Sequence, residues 1–153
     1  PQGATKKVPL VTLVHGGPYS VQDKWMFDTK AQMLANNGYA VMQVNYRGSR
    51  GYGLDYKEIA YKKRSTLIQQ DIIDATRWAL QQPEVENKAC IMGWSFGGYA
   101  ALMAPLIEPD LFKCAIAGGG VYDAIEQEED ADYANIDSIA TRWQKYMAMI
   151  KHC

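Results

Sequence analysis

An α/β domain built on a mostly parallel sheet, with helices on both faces, is the fold class that this sequence predicts. Three observations predict it. Short, β-branched apolar runs alternate with stretches of helical periodicity along the 153 residues, and such alternation implies parallel strand pairing under helical cover. No internal repeat, low-complexity tract or Pro/Ser-rich linker divides the chain, so residues 1–153 read as one domain, long enough to bury a core. A Gly-x-Ser-x-Gly run, Gly93-Trp94-Ser95-Phe96-Gly97, stands between the apolar stretch Ala89-Cys90-Ile91-Met92 and the small-residue stretch Gly98 to Ala104. That is the setting of a strand-to-helix turn.

The elements follow in order. Val8 to Val14 reads as a buried strand, short and β-branched, ended by His15-Gly16-Gly17-Pro18. A helix is expected from about Asp28 to Asn36, with Asn37-Gly38 as its stop. Tyr39 to Tyr46 reads as a second strand, closed by the loop Arg47 to Gly53. From Ser65 or Thr66 to Gln81 an amphipathic helix is expected, because Ile68, Ile72, Ala75 and Ala79 recur at helical spacing and Pro83 follows. Ala89–Met92 is the strand that leads into the Gly-x-Ser-x-Gly turn, and a helix continues to about Leu106. Cys114 to Ala117 is a fourth strand, leading into Gly118-Gly119-Gly120. After a polar, acidic stretch (Glu126 to Asp132), a last helical segment is expected from about Ile136 to Ile150.

Composition excludes several classes of function. An apolar fraction of 48% and a charged fraction of 22% are those of an ordinary soluble globular protein. A net charge of -1 leaves no electrostatic footprint for nucleic acid, and the short basic run Tyr61-Lys62-Lys63-Arg64 reads as a solvated loop. No apolar run is long enough to span a bilayer, and the first residues lack the apolar core of a signal peptide. Cytoplasmic and periplasmic compartments are both compatible with the sequence. Cys90, Cys114 and Cys153 are too few and too widely spaced for a disulfide scaffold or a zinc knuckle. Because Cys90 and Cys114 lie in apolar strand-like runs, they read as buried free thiols. No metal and no cofactor are expected.

The chemistry concentrates on Ser95. A serine hydroxyl becomes a useful nucleophile only when it stands clear of the fold, beside a base and beside donors for an oxyanion. A sharp turn achieves the exposure, and its backbone needs Gly93 and Gly97, since larger neighbours would collide with the strand or the helix. The Phe96 N–H, at the start of a helix, is one oxyanion donor; the Gly17 N–H is the best candidate for the second. The loops after the first, second and third strands all fall at the carboxyl edge of a parallel sheet, where ligands bind. His15 and Gly16 support the oxyanion loop. His15 reads as a loop-stapling histidine rather than the base, because in this architecture the base follows the nucleophile in chain order. His152, the other histidine, does follow Ser95 but is the penultimate residue.

Taken together, His15-Gly16-Gly17-Pro18, Asn45-Tyr46-Arg47-Gly48-Ser49 with Gly51-Tyr52-Gly53, and Gly93 to Tyr99 resemble the catalytic α/β-hydrolase domain of the prolyl oligopeptidase family of serine peptidases. The acylaminoacyl-peptidase and dipeptidyl-peptidase branches are the most similar, and the resemblance runs from about Val8 to Asp123. It implies cleavage of short peptides by acyl transfer through a nucleophilic serine, in a cavity roofed by an N-terminal β-propeller. Some relatives place an oxyanion-binding tyrosine where this chain has His15, which shifts that role toward the Gly17 N–H. The family's aspartate and histidine lie well downstream of the serine. Asp123, Asp130, Asp132 and Asp137 come too early, in an acidic stretch that reads as solvated surface.

The resemblance therefore implies a partial catalytic domain, the nucleophile half, with the C-terminal strands and the propeller absent and with little or no activity of its own. Tyr46, Arg47, Trp94 and Tyr99 are candidate substrate contacts; a structural ion pair explains Arg47 equally well, and packing explains Trp94 and Tyr99. Paired glutamates bind the substrate amino terminus in the dipeptidyl-peptidase branch, but they come from the propeller, so Glu126, Glu128 and Glu129 inherit nothing. A carboxylesterase or lipase of the same fold is the nearest alternative, although such enzymes often carry His-Gly-Gly-Gly where this chain has Pro18. A non-catalytic interaction module that keeps the fold is the other.

Overall fold

The computed structural model describes residues 6–61, 63, 65–120 and 122. The chain divides into two compact units, Pro1–Val121 and Tyr122–Cys153, and the described residues belong to the first apart from Tyr122. The helical segment expected at 136–150, the acidic stretch with its aspartates and glutamates, Cys153, His152, Lys62 and Arg64 lie outside the described residues.

Among the described residues four strands, β1 (Val8–Val14), β2 (Ala40–Gln43), β3 (Val85–Trp94) and β4 (Phe112–Gly118), form one parallel sheet in the order β2-β1-β3-β4. The strand that carries the Gly-x-Ser-x-Gly run is thus flanked on both sides, as the turn requires. Four helices connect the strands: α1 (Thr29–Asn36), α2 (Leu54–Glu58), α3 (Leu67–Leu80) and α4 (Phe96–Ile107). Right-handed crossovers, combined with the reversal of direction after β2, put α1 on one face and α3 and α4 on the other. The contacts agree: α1 lies on β2, α3 on β1 and β3, and α4 on β1, β3 and β4, with α3 and α4 touching.

Local chemistry accounts for the boundaries. Asp28 caps α1, its Oδ1 accepting from the Ala31 N–H at 2.8 Å. Gly38, with φ of +88°, ends that helix, its N–H donating to Ala35 O. The α3 face that packs on the sheet contains Ile68, Ile72 and Ala79 as expected, and also Ile73, Gln69 and Thr76, while Ala75 is only half-buried. Each of the three isoleucines is fully buried, worth roughly 1.5–3 kcal/mol relative to exposure. Thr76 donates its hydroxyl proton to Ile72 O at 2.8 Å and accepts from the Thr12 hydroxyl at 2.9 Å, so this buried polar pair is satisfied. Ala100, Ala101 and Ala104 let α4 lie close on the sheet.

Four expectations need correction. β2 ends at Gln43 rather than Tyr46, because Asn45 and Tyr46 leave the ladder to bond the loop that follows β1. β3 begins at Val85, ahead of Ala89; the polar run Glu86-Asn87-Lys88 hides it, and a register irregularity falls there. The one-turn helix α2 carries no buried residue and hence no apolar periodicity to read; the chain there is held by the Gly48 N–H to Tyr56 O at 2.9 Å and by the Tyr56 hydroxyl to Asn45 O at 2.7 Å.

Finally, Cys90 and Cys114 are not buried free thiols. They are directly opposed on β3 and β4, with Cα atoms 4.7 Å apart, and form a disulfide whose Cys114 side is exposed. Opposed residues on adjacent strands project to the same face within bridging distance. Closing that loop, 24 residues in sequence separation, stabilises the fold by roughly 3.5 kcal/mol in the chain-entropy picture.

Candidate active site

The backbone at Ser95 has φ of +56° and ψ of -124°, a conformation that a side chain adopts only under constraint. The constraint comes from both sides: the Ser95 N–H donates to Gly118 O of β4 at 2.9 Å, and Ser95 O accepts from the Tyr99 N–H at 3.1 Å. The serine is exposed, and its side chain makes no capping bond to its own helix. Backbone-to-backbone packing makes the turn this sharp. A Cβ on Gly93 would land on the Gly97 carbonyl, and a Cβ on Gly97 would land on the Val14 carbonyl, with the His15 carbonyl 3.0 Å away.

The loop after β1 runs beside the nucleophile. The Cβ position at Gly16 lies 3.5 Å from Ser95 Cβ and 4.0 Å from its Oγ, at van der Waals contact. Gly17 follows with φ of +124°, open to glycine and strained for other residues. Phe96 opens α4, where first-turn N–H groups have no intrahelical acceptor and the helix dipole favours negative charge. Its ring is buried and lies against Tyr46 and Tyr99, with centroids 5.7 and 5.6 Å away.

His15 is held on every side. Its Nδ1 lies 2.7 Å from Gly16 O, which can only accept, so Nδ1 carries the proton and Nε2 accepts from the Ser49 hydroxyl at 2.9 Å. The Tyr46 ring stacks on the imidazole with centroids 4.3 Å apart, and its hydroxyl donates to His15 O at 3.0 Å. Sequence reasoning offered Tyr46 as a substrate contact. The tyrosine is fully buried, so it touches the loop and not the cleft, and burial pushes its phenol well above the ordinary range.

Arg47 is likewise engaged. Its guanidinium grips the Asp71 carboxylate of α3 at 2.5–2.9 Å while its backbone N–H bonds the same carboxylate at 2.8 Å. That partner also raises the arginine further above its usual value. Of the two readings open for Arg47, the geometry is that of the structural ion pair. Trp94 is 61% exposed, its ring lying across Gly118 and Gly119. Tyr99 is half-buried beside Phe96.

Several residues of the site escaped sequence reasoning. Ser49 and Asp71 reveal themselves only through partners distant in sequence. Asp23 and Asn45 clamp one another reciprocally: the Asp23 N–H donates to Asn45 Oδ1 at 2.8 Å, and Asn45 Nδ2 donates to Asp23 O at 2.9 Å. Burial pushes the Asp23 carboxyl up, an effect that His15 partly offsets. Asp23 Oδ2 is buried with no hydrogen-bond partner among the described residues.

Burial also lowers the His15 pKa below its ordinary 6.5, against opposing contributions from the Gly16 carbonyl and Asp23. A folded pKa below the unfolded one means that stability is fully present above about pH 6.5 and is lost as pH falls through the lowered folded value. Asp23, shifted upward, acts in the opposite sense, its contribution being lost as pH rises above about 3.8. His15→Gln should therefore flatten the fall of Tm between pH 7 and pH 5 in a thermal-melt series. Equal slopes for wild type and variant would show that a buried neutral His15 is not the source.

Comparison with known proteins bears on the family and the fold. The model of the prolyl oligopeptidase family matches residues 25–150. The chain is 42% identical over 114 residues to the dipeptidyl aminopeptidase BIII of Pseudoxanthomonas mexicana, covering 74% of this chain and 16% of that protein. Among solved structures, the Pyrococcus horikoshii acylaminoacyl peptidase superposes with a TM-score of 0.69 at 31% identity, over 76% of this chain and 19% of the other. A Mycobacterium tuberculosis puromycin-hydrolyzing peptidase gives 0.76 at 30% identity, over 86% and 20%. The chain thus spans about a fifth or less of the length of these relatives. Its parallel sheet flanked by helices is the α/β-hydrolase architecture of their catalytic domains, in part. Among the described residues no helix is long and apolar enough to cross a membrane. On its motifs, its fold and these matches, the chain belongs to the prolyl oligopeptidase family.

Proposed function

We propose that this chain is the nucleophile half of a serine peptidase catalytic domain that cleaves short peptides by acyl transfer. The observation that carries the reading is the strained, exposed Ser95, whose hydroxyl lies 4.0 Å from the place a Cβ on Gly16 would take. Ser95 Oγ attacks the scissile carbonyl carbon, and the Phe96 and Gly17 N–H groups receive the oxyanion. Collapse of that intermediate expels the amine and leaves an acyl-serine, which water then hydrolyses. Exposed Trp94 and its neighbour Tyr99 contact the substrate; Tyr46, His15, Ser49 and Gly16 hold the oxyanion loop in place.

The attack needs a base. His15 is occupied by Gly16 O and Ser49, which supports the reading that the triad histidine and aspartate come from further along the full-length protein, with a propeller roofing the site. A fluorophosphonate should label the full-length protein stoichiometrically, with the adduct mapped to Ser95 by tandem mass spectrometry. The 153-residue chain should label far more slowly. An adduct on another residue, or equal labelling of the two, would overturn the assignment.

A further inference from the structure

An open cavity of about 430 Å³ lies at the same carboxyl edge of the sheet as Ser95, toward β2, lined by Ser20, Arg50, Gly51, Gly53, Leu54 and Lys57. Its walls are joined to the oxyanion loop. Ser20 follows Gly17 closely in the same segment and donates its N–H to Gly48 O at 3.2 Å; the Arg50 N–H donates to Val21 O at 3.0 Å. Arg50 is also the next residue after Ser49, whose hydroxyl bonds His15. Ser20 holds φ of +63°, and constrained backbone of this kind gathers at ligand sites.

Among the described residues the lining has one sign of charge: two cations, a hydroxyl and an apolar side chain, and no carboxylate, Asp55 and Glu58 of α2 not being part of it. Among the described residues neither Arg50 nor Lys57 is ion-paired. We propose that this cavity is a subsite for a carboxylate of the peptide substrate, which rests on the peptidase reading above. The Arg50 guanidinium presents a planar donor fork that matches a carboxylate, Lys57 adds a point charge, and Leu54 covers the adjoining methylenes. The carboxylate comes either from the peptide's C-terminus or from an aspartate or glutamate side chain.

The test is equilibrium binding to full-length protein carrying Ser95→Ala, which removes turnover. Two fluorescent peptide pairs serve as probes, one differing only as C-terminal acid against amide, the other as internal Asp against Asn. One acidic member should bind about 5-fold to 10-fold tighter than its neutral partner at low salt, and the gap should shrink as salt rises. Whichever pair shows the gap identifies the source of the carboxylate. Arg50→Gln with Lys57→Gln should erase it, and a Tm within about a degree or two of the parent protein reports that the variant is folded. Preferences below about 2-fold in both pairs, or a preference that survives the double substitution, would overturn the subsite. A gap that the double substitution erases, in a protein whose Ser95 resists fluorophosphonate, would keep the subsite and overturn the peptidase reading alone.

Discussion

Ser95→Ala in the full-length protein should lower kcat/KM for short peptides by roughly 10⁴-fold to 10⁶-fold, the range seen when a serine peptidase loses its nucleophile. The loss is large because the serine and its base act as one unit; without the oxygen no acyl intermediate forms. It is not total, since an oxyanion hole and binding still give roughly 10³-fold to 10⁴-fold acceleration over water. The substitution removes one exposed oxygen from a residue that makes no side-chain cap, so Tm should stay within about a degree or two of wild type. A variant with more than about one hundredth of wild-type kcat/KM would place the nucleophile elsewhere. Comparison with the 153-residue chain separates two questions. If the chain alone matched the full-length rate, the base would lie within it, and His15 or His152 would have to take that role.

Gly97→Ala should be among the most damaging small substitutions for folding. Its methyl would fall on the Val14 carbonyl and within 3.0 Å of the His15 carbonyl, and neither is a flexible side chain that can swing away. β1 and α4 would have to separate, pulling the oxyanion loop from Ser95. We expect a loss above about 3 kcal/mol in chemical denaturation, with poor soluble yield. Gly38→Ala is the control: Gly38 has φ of +88° but nothing within 4 Å of its Cβ position, so only the backbone conformation is taxed, by about 1 kcal/mol. Equal losses for the two variants would refute the claim that backbone contact sets the turn.

Patterns carried by neighbouring residues were legible without coordinates. Val8–Val14 appears with the bounds its β-branched run predicts, and Asp28 and Gly38 start and stop α1 through hydrogen bonds to residues within a turn. The turn at Ser95 was legible because Gly93 and Gly97 report directly on backbone crowding. Such features depend on chemistry within a few positions, which a one-dimensional string contains. α2 was missed for the same reason, since a single exposed turn leaves no periodic trace.

What only the tertiary structure decided is which distant residues meet. Cys90 faces Cys114 because β4 docks on β3 in one register. Arg47 turns to Asp71 because α3 crosses back over the sheet beneath the loop after β2. Tyr46 lost its place as a substrate contact once its ring was buried against His15. Ser49 gained a role only when the loops after β1 and β2 came together at the carboxyl edge. The sequence by itself determined the parallel α/β plan and the candidate nucleophile, since each is written in local spacing, and its motifs resembled one family. The partners that hold the nucleophile's surroundings in place depend on strand order and register, which arise from packing the whole sheet and leave no mark at any single stretch of chain.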